Sequence, residues 1–479
     1  MGVDLKIWII LYAPFRPWYT AEKTCLCILL GKSYCQVQQM RILLAGEKSI
    51  PHSIATLDKV HGVALVRDIV GWENTHMNSN PHQRFVHSLA RAALCAGALC
   101  LSAENAQARP HAQKDLRSYM HGIEAVKGAD GRFLIFISSS GIPPKGKNEN
   151  GNWPHDIYLS TCGINDTRIS PPTLFIQKPE AQEPVSVAQT TDGNVMLSFE
   201  DGWNTTNEVN QRYGVYDAKL QPIAPYPRDV ATGGHSGHVA AAGKHFVVLY
   251  SEDWVNGGGV DDLGTGNGVY AKVFDSHGHL LSTSDVAPQR REWWPMIAGS
   301  SNRALLVWQQ FVPDQTFANL KITVLDPETG KLSAHKVLRS GLNYYTYKAK
   351  YIPSIDRFLV TGTTVNGKGF AYLIDNDGNV SATLECMPAT VRGADVVASE
   401  NIAYTPSQDN RLLHLELTPS SIKLKAVQRS PLTWSYIGSL GLMRNPSSIH
   451  WVSLTKNGVE ETDFDLRNAV QPDRSDLCQ

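Results

Sequence analysis

Short apolar runs separated by polar turns recur along most of this chain. One complete unit lies between Trp294 and Ser340. Trp294–Gly299 is a short apolar run, 300–303 a polar turn, Ala304–Phe311 a continuous apolar run, Leu320–Asp326 an alternating one, and Pro327–Lys331 a tight turn. Period-two alternation marks a strand with one face in water. A short continuous run rich in β-branched and aromatic residues marks a strand covered on both faces. Seven such runs anchor the pattern: Phe133–Ile137, Val195–Phe199, Phe246–Tyr250, Leu305–Trp308, Phe358–Thr361, Ile402–Tyr404 and Ile449–Leu454. Their starts are 62, 51, 59, 53, 44 and 47 residues apart, a mean of about 53.

Six of the runs are followed by a second strand, and four of these end on an aspartate: Asp217, Asp275, Asp326 and Asp375. A carboxylate there can accept from the backbone of its own turn, and Gly278, Gly330 and Gly378 supply a left-handed position after three of them. These aspartates are expected to be turn formers, not metal ligands. Four strands per unit at this period predict an all-β fold, a seven-bladed β-propeller of four-stranded blades over residues 109–479. The repeat resembles bacterial propeller repeats in which an apolar-aromatic strand precedes one ending in Asp and a Gly-containing turn. It carries neither the Trp-Asp dipeptide of WD40 repeats nor the Ser-x-Asp-x-Gly-x-x-Trp box of sialidases. The seventh unit runs out after 458–466, so residues 112–118 are expected to add its fourth strand and close the ring.

In such a fold the long loops 138–155, 201–212, 252–267 and 312–319 share one face with the connectors between blades. Rings collect there. Trp153, Trp203 and Trp254 lie in the loops, and His121, His235, His238, Trp293, Trp294, Tyr344, Tyr345 and Trp434 lie at the entries to units. Flat aromatic faces can stack on sugar rings. Trp308 and Trp451, inside the apolar runs, are expected to be core. Pro295 biases Trp294 toward an extended backbone, in which neighbouring side chains point apart. One of Trp293 and Trp294 should therefore wedge between blades and the other reach the loop-rich face.

Composition changes this picture little. Hydrophobic residues make up 42% and charged residues 19%, enough for a packed core. A net charge of −1 lacks the electrostatic footprint of a nucleic-acid or anionic-membrane binder. His235-x-x-His238 offers metal-ligand types, but paired histidines in a Gly-rich connector read as hydrogen-bonding groups, so neither metal nor cofactor is expected. Residues 1–76 lack the repeat. Met77 opens a leader-like segment with Arg84 and Arg91, the apolar stretch Ala92–Leu101, and an A-x-A site at Ala106-Gln107-Ala108. The expectation is a start at Met77, a signal peptide over 77–108, and a periplasmic or secreted monomer. Cys162, Cys386 and Cys478 would remain, an odd number that leaves at least one thiol outside internal pairing. Free buried or tail cysteine is expected.

Three functions stay open. The leading one is a binder of a glycan or other small polar ligand on the aromatic face, without catalysis. The second is a polysaccharide lyase acting on a uronate-containing polymer. Several lyase families use seven-bladed propellers with histidine, tyrosine and arginine around the central cavity. That resemblance implies His121 or His238 as base, Tyr345 as acid or base, and Arg290 or Arg291 on the carboxylate. The third is a protein-interaction scaffold.

Overall fold

The structure, a computed structural model, describes four strands near the N-terminus and then residues 116–477, apart from 150, 153, 203–208, 253–266, 394 and 435–437. The chain divides into two compact units, Met1–Ala108 and Arg109–Gln479. In the first, strands Trp8–Ile10, Arg41–Leu43, Ala55–Val60 and Val63–Arg67 pair in chain order, the first pair parallel and the others antiparallel. The expected leader lies outside the described residues, as do Trp153, Trp203 and Trp254. Among the described residues no helix is long and apolar enough to cross a membrane.

The second unit is all-β, a series of antiparallel meanders joined in chain order. Their lead strands are Met120–Lys127, Glu183–Gln189, Gly234–Ala242, Glu292–Gly299, Lys336–Ile352, Val397–Ser399 and Ser439–Asn445. The fourth and fifth meanders share one eight-stranded sheet, because Lys336–Ile352 pairs with strands on both sides. Among the described residues no sheet closes on itself. Each of the seven continuous apolar runs forms the second strand of a meander.

These runs are apolar on both faces because each meander is covered on both. In the third, Phe246, Val248 and Tyr250 pack toward the second meander, while Val247 and Leu249 pack with Leu306 and Trp308 of the fourth. Successive side chains of a strand point to opposite faces, which produces this division. A buried cluster fills every such seam from the first meander to the seventh. One further cluster joins the ends of the series. Leu440, Leu442, Val452 and Leu454 of the seventh meander pack on Met120, Ile123, Ile135 and Ile137 of the first. Polar contacts reinforce that seam. Ile169 N donates to Glu461 Oε2 at 2.8 Å, and Arg444 donates to the carbonyl of Asp166.

The seventh sheet has three strands among the described residues. Of the expected closing strand, residues 112–115 lie outside the described residues; Leu116–Tyr119 is a turn, and the ends meet through the packing and polar contacts above. The expectation of free cysteines is corrected in part. Cys386 is disulfide-bonded, with a partner outside the described residues, whereas Cys162 is a buried free thiol. The four aspartates do form turns. Asp275 Oδ1, for example, accepts from His277 N at 2.8 Å and His279 N at 2.9 Å. Where the other three turns place glycine, the turn after Asp217 places Leu220, at φ 62°.

Candidate active site

The first five lead strands each carry an irregularity at their entry. The register slips between Met120 and Ile123, between Glu183 and Ser186, between His235 and His238, between Trp293 and Met296, and between Leu342 and Tyr347. A bulge re-aims the side chains beside it. Three of these bulges place a non-glycine residue in the left-handed region, Ser236 at φ 52°, Trp294 at 57° and Tyr345 at 65°. Each costs on the order of 1–2 kcal/mol. Trp294 is therefore not extended, although Pro295 follows it. The bulge overrides the local preference. The candidates His121, His235, Trp293, Trp294 and Tyr345 all flank these slips.

His121 leans on a buried carboxylate. Its Nδ1 lies 3.4 Å from Glu183 Oε2, and His155 Nδ1 lies 2.7 Å from the same oxygen. His155 and Glu183 are buried, while His121 keeps 19% of its side chain exposed. Burial lowers the His121 pKa; Glu183 opposes this and Arg117 adds to it. Burial alone would raise Glu183, but the charges of His155 and His121 hold it down to about 2. The result is an ionised carboxylate behind an imidazole kept neutral near neutral pH, able to accept a proton.

Tyr345 has the opposite bias. Burial pushes its phenol up to about 12, against the lowering charges of Arg392 and Arg117. The Arg392 guanidinium lies 4.4 Å from the Tyr345 ring centre and 5.0 Å from that of Trp294. Trp294 and Tyr345 meet edge to face, 5.0 Å between centroids. Arg117 thus acts on both His121 and Tyr345. On the same lead strands, Glu124 of the first meander faces Lys348 of the fifth at 3.5 Å and accepts from Val187 N of the second at 2.7 Å. Lead strands far apart in sequence converge at this point.

The other expected residues divide. His238 feels Lys348 and Glu124, but its ring bonds to the backbone of Ser236, 3.1 Å from Nδ1, and of Pro295, and burial lowers it to about 4. It is a wall residue, not a presented base. His235 and Trp293 are buried and meet edge to face. Trp434 is buried against Trp451 and Phe464. Tyr344 donates to the Gln315 carbonyl at 3.0 Å, tying down the loop after the fourth meander's second strand. Arg290 is exposed and Arg291 half-buried in their connector. The guanidinium charges that reach His121 and Tyr345 are those of Arg117 and Arg392.

Buried histidines also set an acid limit. Burial depresses His238 and His414 from 6.5 to about 4. A depressed histidine stabilises the fold fully above its unfolded value, and that contribution is lost as pH falls toward the folded value. The thermal midpoint should therefore decline between pH about 6.5 and about 4. His414→Phe should shallow the slope. A midpoint constant over that window, followed by differential scanning calorimetry, would contradict this account.

No family model matches the chain, and no curated protein matches it. Similar solved structures include the NanB sialidase of Streptococcus pneumoniae, 12% identical with a TM-score of 0.41, over 75% of this chain and 70% of that one. The GH93 α-L-arabinofuranosidase of Fusarium graminearum, solved with arabinobiose, is 10% identical with a TM-score of 0.43, over 74% of this chain and 97% of that one. The expected glycan binder without catalysis is corrected. Two of the rings expected to stack on a ligand, Trp293 and Trp434, are buried instead of presented, and the groups that do converge are titratable.

Proposed function

We propose that residues 109–479 form a seven-bladed propeller, exported from the cell that makes it, whose cavity cleaves a uronate-containing polysaccharide by β-elimination. What supports this reading is His121 set 3.4 Å from the buried Glu183 carboxylate and Tyr345 set under the Arg392 guanidinium at 4.4 Å, with burial lowering the first group's pKa and raising the second's and the Arg117 charge reaching both. Two groups pushed in opposite directions are suited to be base and acid. Arg117 and Arg392 would hold the sugar carboxylate, making the adjacent C5–H more acidic. His121 takes that proton, the C4–O bond breaks as the C4–C5 double bond forms, and Tyr345 gives its phenolic proton to the departing oxygen. Solvent then restores both groups.

The test is incubation with uronate-containing polysaccharides, following ultraviolet absorbance of the unsaturated product. Arg117→Ala should raise KM about tenfold, the scale of one charged hydrogen bond, and more than it lowers kcat. Release of saturated ends, with no unsaturated product, would replace the lyase with a hydrolase.

A further inference from the structure

The loop between the second and third strands of the first meander walls a cavity of about 450 Å³, lined in part by Ser140, Lys145, Lys147, Asn148, Asp156 and Tyr158. That volume is in the range of small-ligand sites. The loop is fastened to the active site at both ends. At its start, the hydroxyl of Ser140 donates to the Tyr119 carbonyl at 3.0 Å, two residues before His121, and accepts from the N–H groups of Lys145 and Gly146 at 3.0 Å. Gly146 sits in the left-handed region at φ 79°, where an added Cβ would lie 3.1 Å from the Tyr119 ring. At its end, Pro154 and Asp156 line the cavity while His155 between them turns inward onto Glu183. The two sites therefore share one wall.

The chemistry of the lining selects a class of ligand. Lys145 and Lys147 bring two cationic side chains, Asn148 and Ser140 bring neutral polar groups, and Tyr158 brings a ring. Asp156 adds one carboxylate, which accepts from Gln177 Nε2 at 3.0 Å, so the two lysines outnumber it. We propose that this cavity is a second carbohydrate subsite, which takes an anionic sugar unit next to the one held at His121. The proposal rests on the lyase reading for the identity of the polymer. Occupying both sites at once would make affinity rise with chain length and favour attack inside a polymer.

The experiment uses the full chain carrying His121→Ala, so that binding is read without turnover, and uronate oligomers from monosaccharide to tetrasaccharide measured by calorimetry. Affinity should climb with length. Adding Lys145→Glu, an exposed position outside the catalytic groups, should weaken the longer oligomers about tenfold, the loss of one charge-assisted contact, and leave the monosaccharide unchanged. Equal weakening at every length, or none, overturns the subsite. Length-dependent loss in a protein whose parent forms no unsaturated product would sink the lyase reading and leave the subsite standing. If no uronate oligomer binds, both fall.

Discussion

His121→Ala will lose roughly 10²–10⁴ of kcat on a uronate polymer, the usual worth of a positioned general base. The fold should survive, because His121 is part-exposed and its strand stays paired with its neighbour from Ile123 to Lys127. The pH profile carries the sharper information. His121 works only as the neutral imidazole, and its pKa lies below the ordinary histidine value. Activity should therefore rise with pH through that depressed value and already be level near neutrality. Glu183→Gln removes the charge behind the ring while nearly keeping its shape, and should move this acid limb. If His121→Ala keeps full activity, His121 is not the base.

Trp308→Ala will cost about 3–5 kcal/mol of stability, the usual loss for a large buried ring. Trp308 is fully buried in the seam between the third and fourth meanders. Its Nε1 donates to Glu292 Oε2 at 2.6 Å, and Glu292 also accepts from Gln310 at 2.6 Å and Lys321 at 2.9 Å. Removing the ring opens a void and takes one donor from a buried carboxylate. Calorimetry should show the thermal midpoint falling by roughly 5–15 °C, on the scaling for domains somewhat smaller than this one. A fall of less than about 2 °C would mean that the seam repacks without it.

The seams explain which features were legible beforehand. A strand covered on both faces must be apolar at successive positions, so the seven runs stand out against turns. The aspartates were equally plain, because their partners lie within four residues. The site was legible only in part. His121 and Tyr345 show themselves as polar rings at unit entries. Glu183, His155, Arg117 and Arg392 are single polar residues in unremarkable contexts, brought together only when lead strands converge. One signal for Glu183 was present. It stands at a strand entry, like His121, His235, Trp293 and Tyr345, and aligning the units by their apolar runs would have placed it among them. Trp434 misled for the opposite reason. An aromatic in a connector can face a ligand or fill a seam, and here it fills the seam between the sixth and seventh meanders.

The disulfide at Cys386 has a consequence for where this chain can mature. Such bonds persist where the surroundings are oxidising and are kept open by the thiol pools of a typical cytosol. A chain folded in a reducing cytosol would carry Cys386 as a thiol and miss a covalent tie that a chain folded under oxidising conditions has. The two would share a sequence and differ in resistance to unfolding, and adding reductant to the oxidised form should convert it toward the other. The redox state of one cysteine thus becomes a record of the compartment through which the molecule has passed.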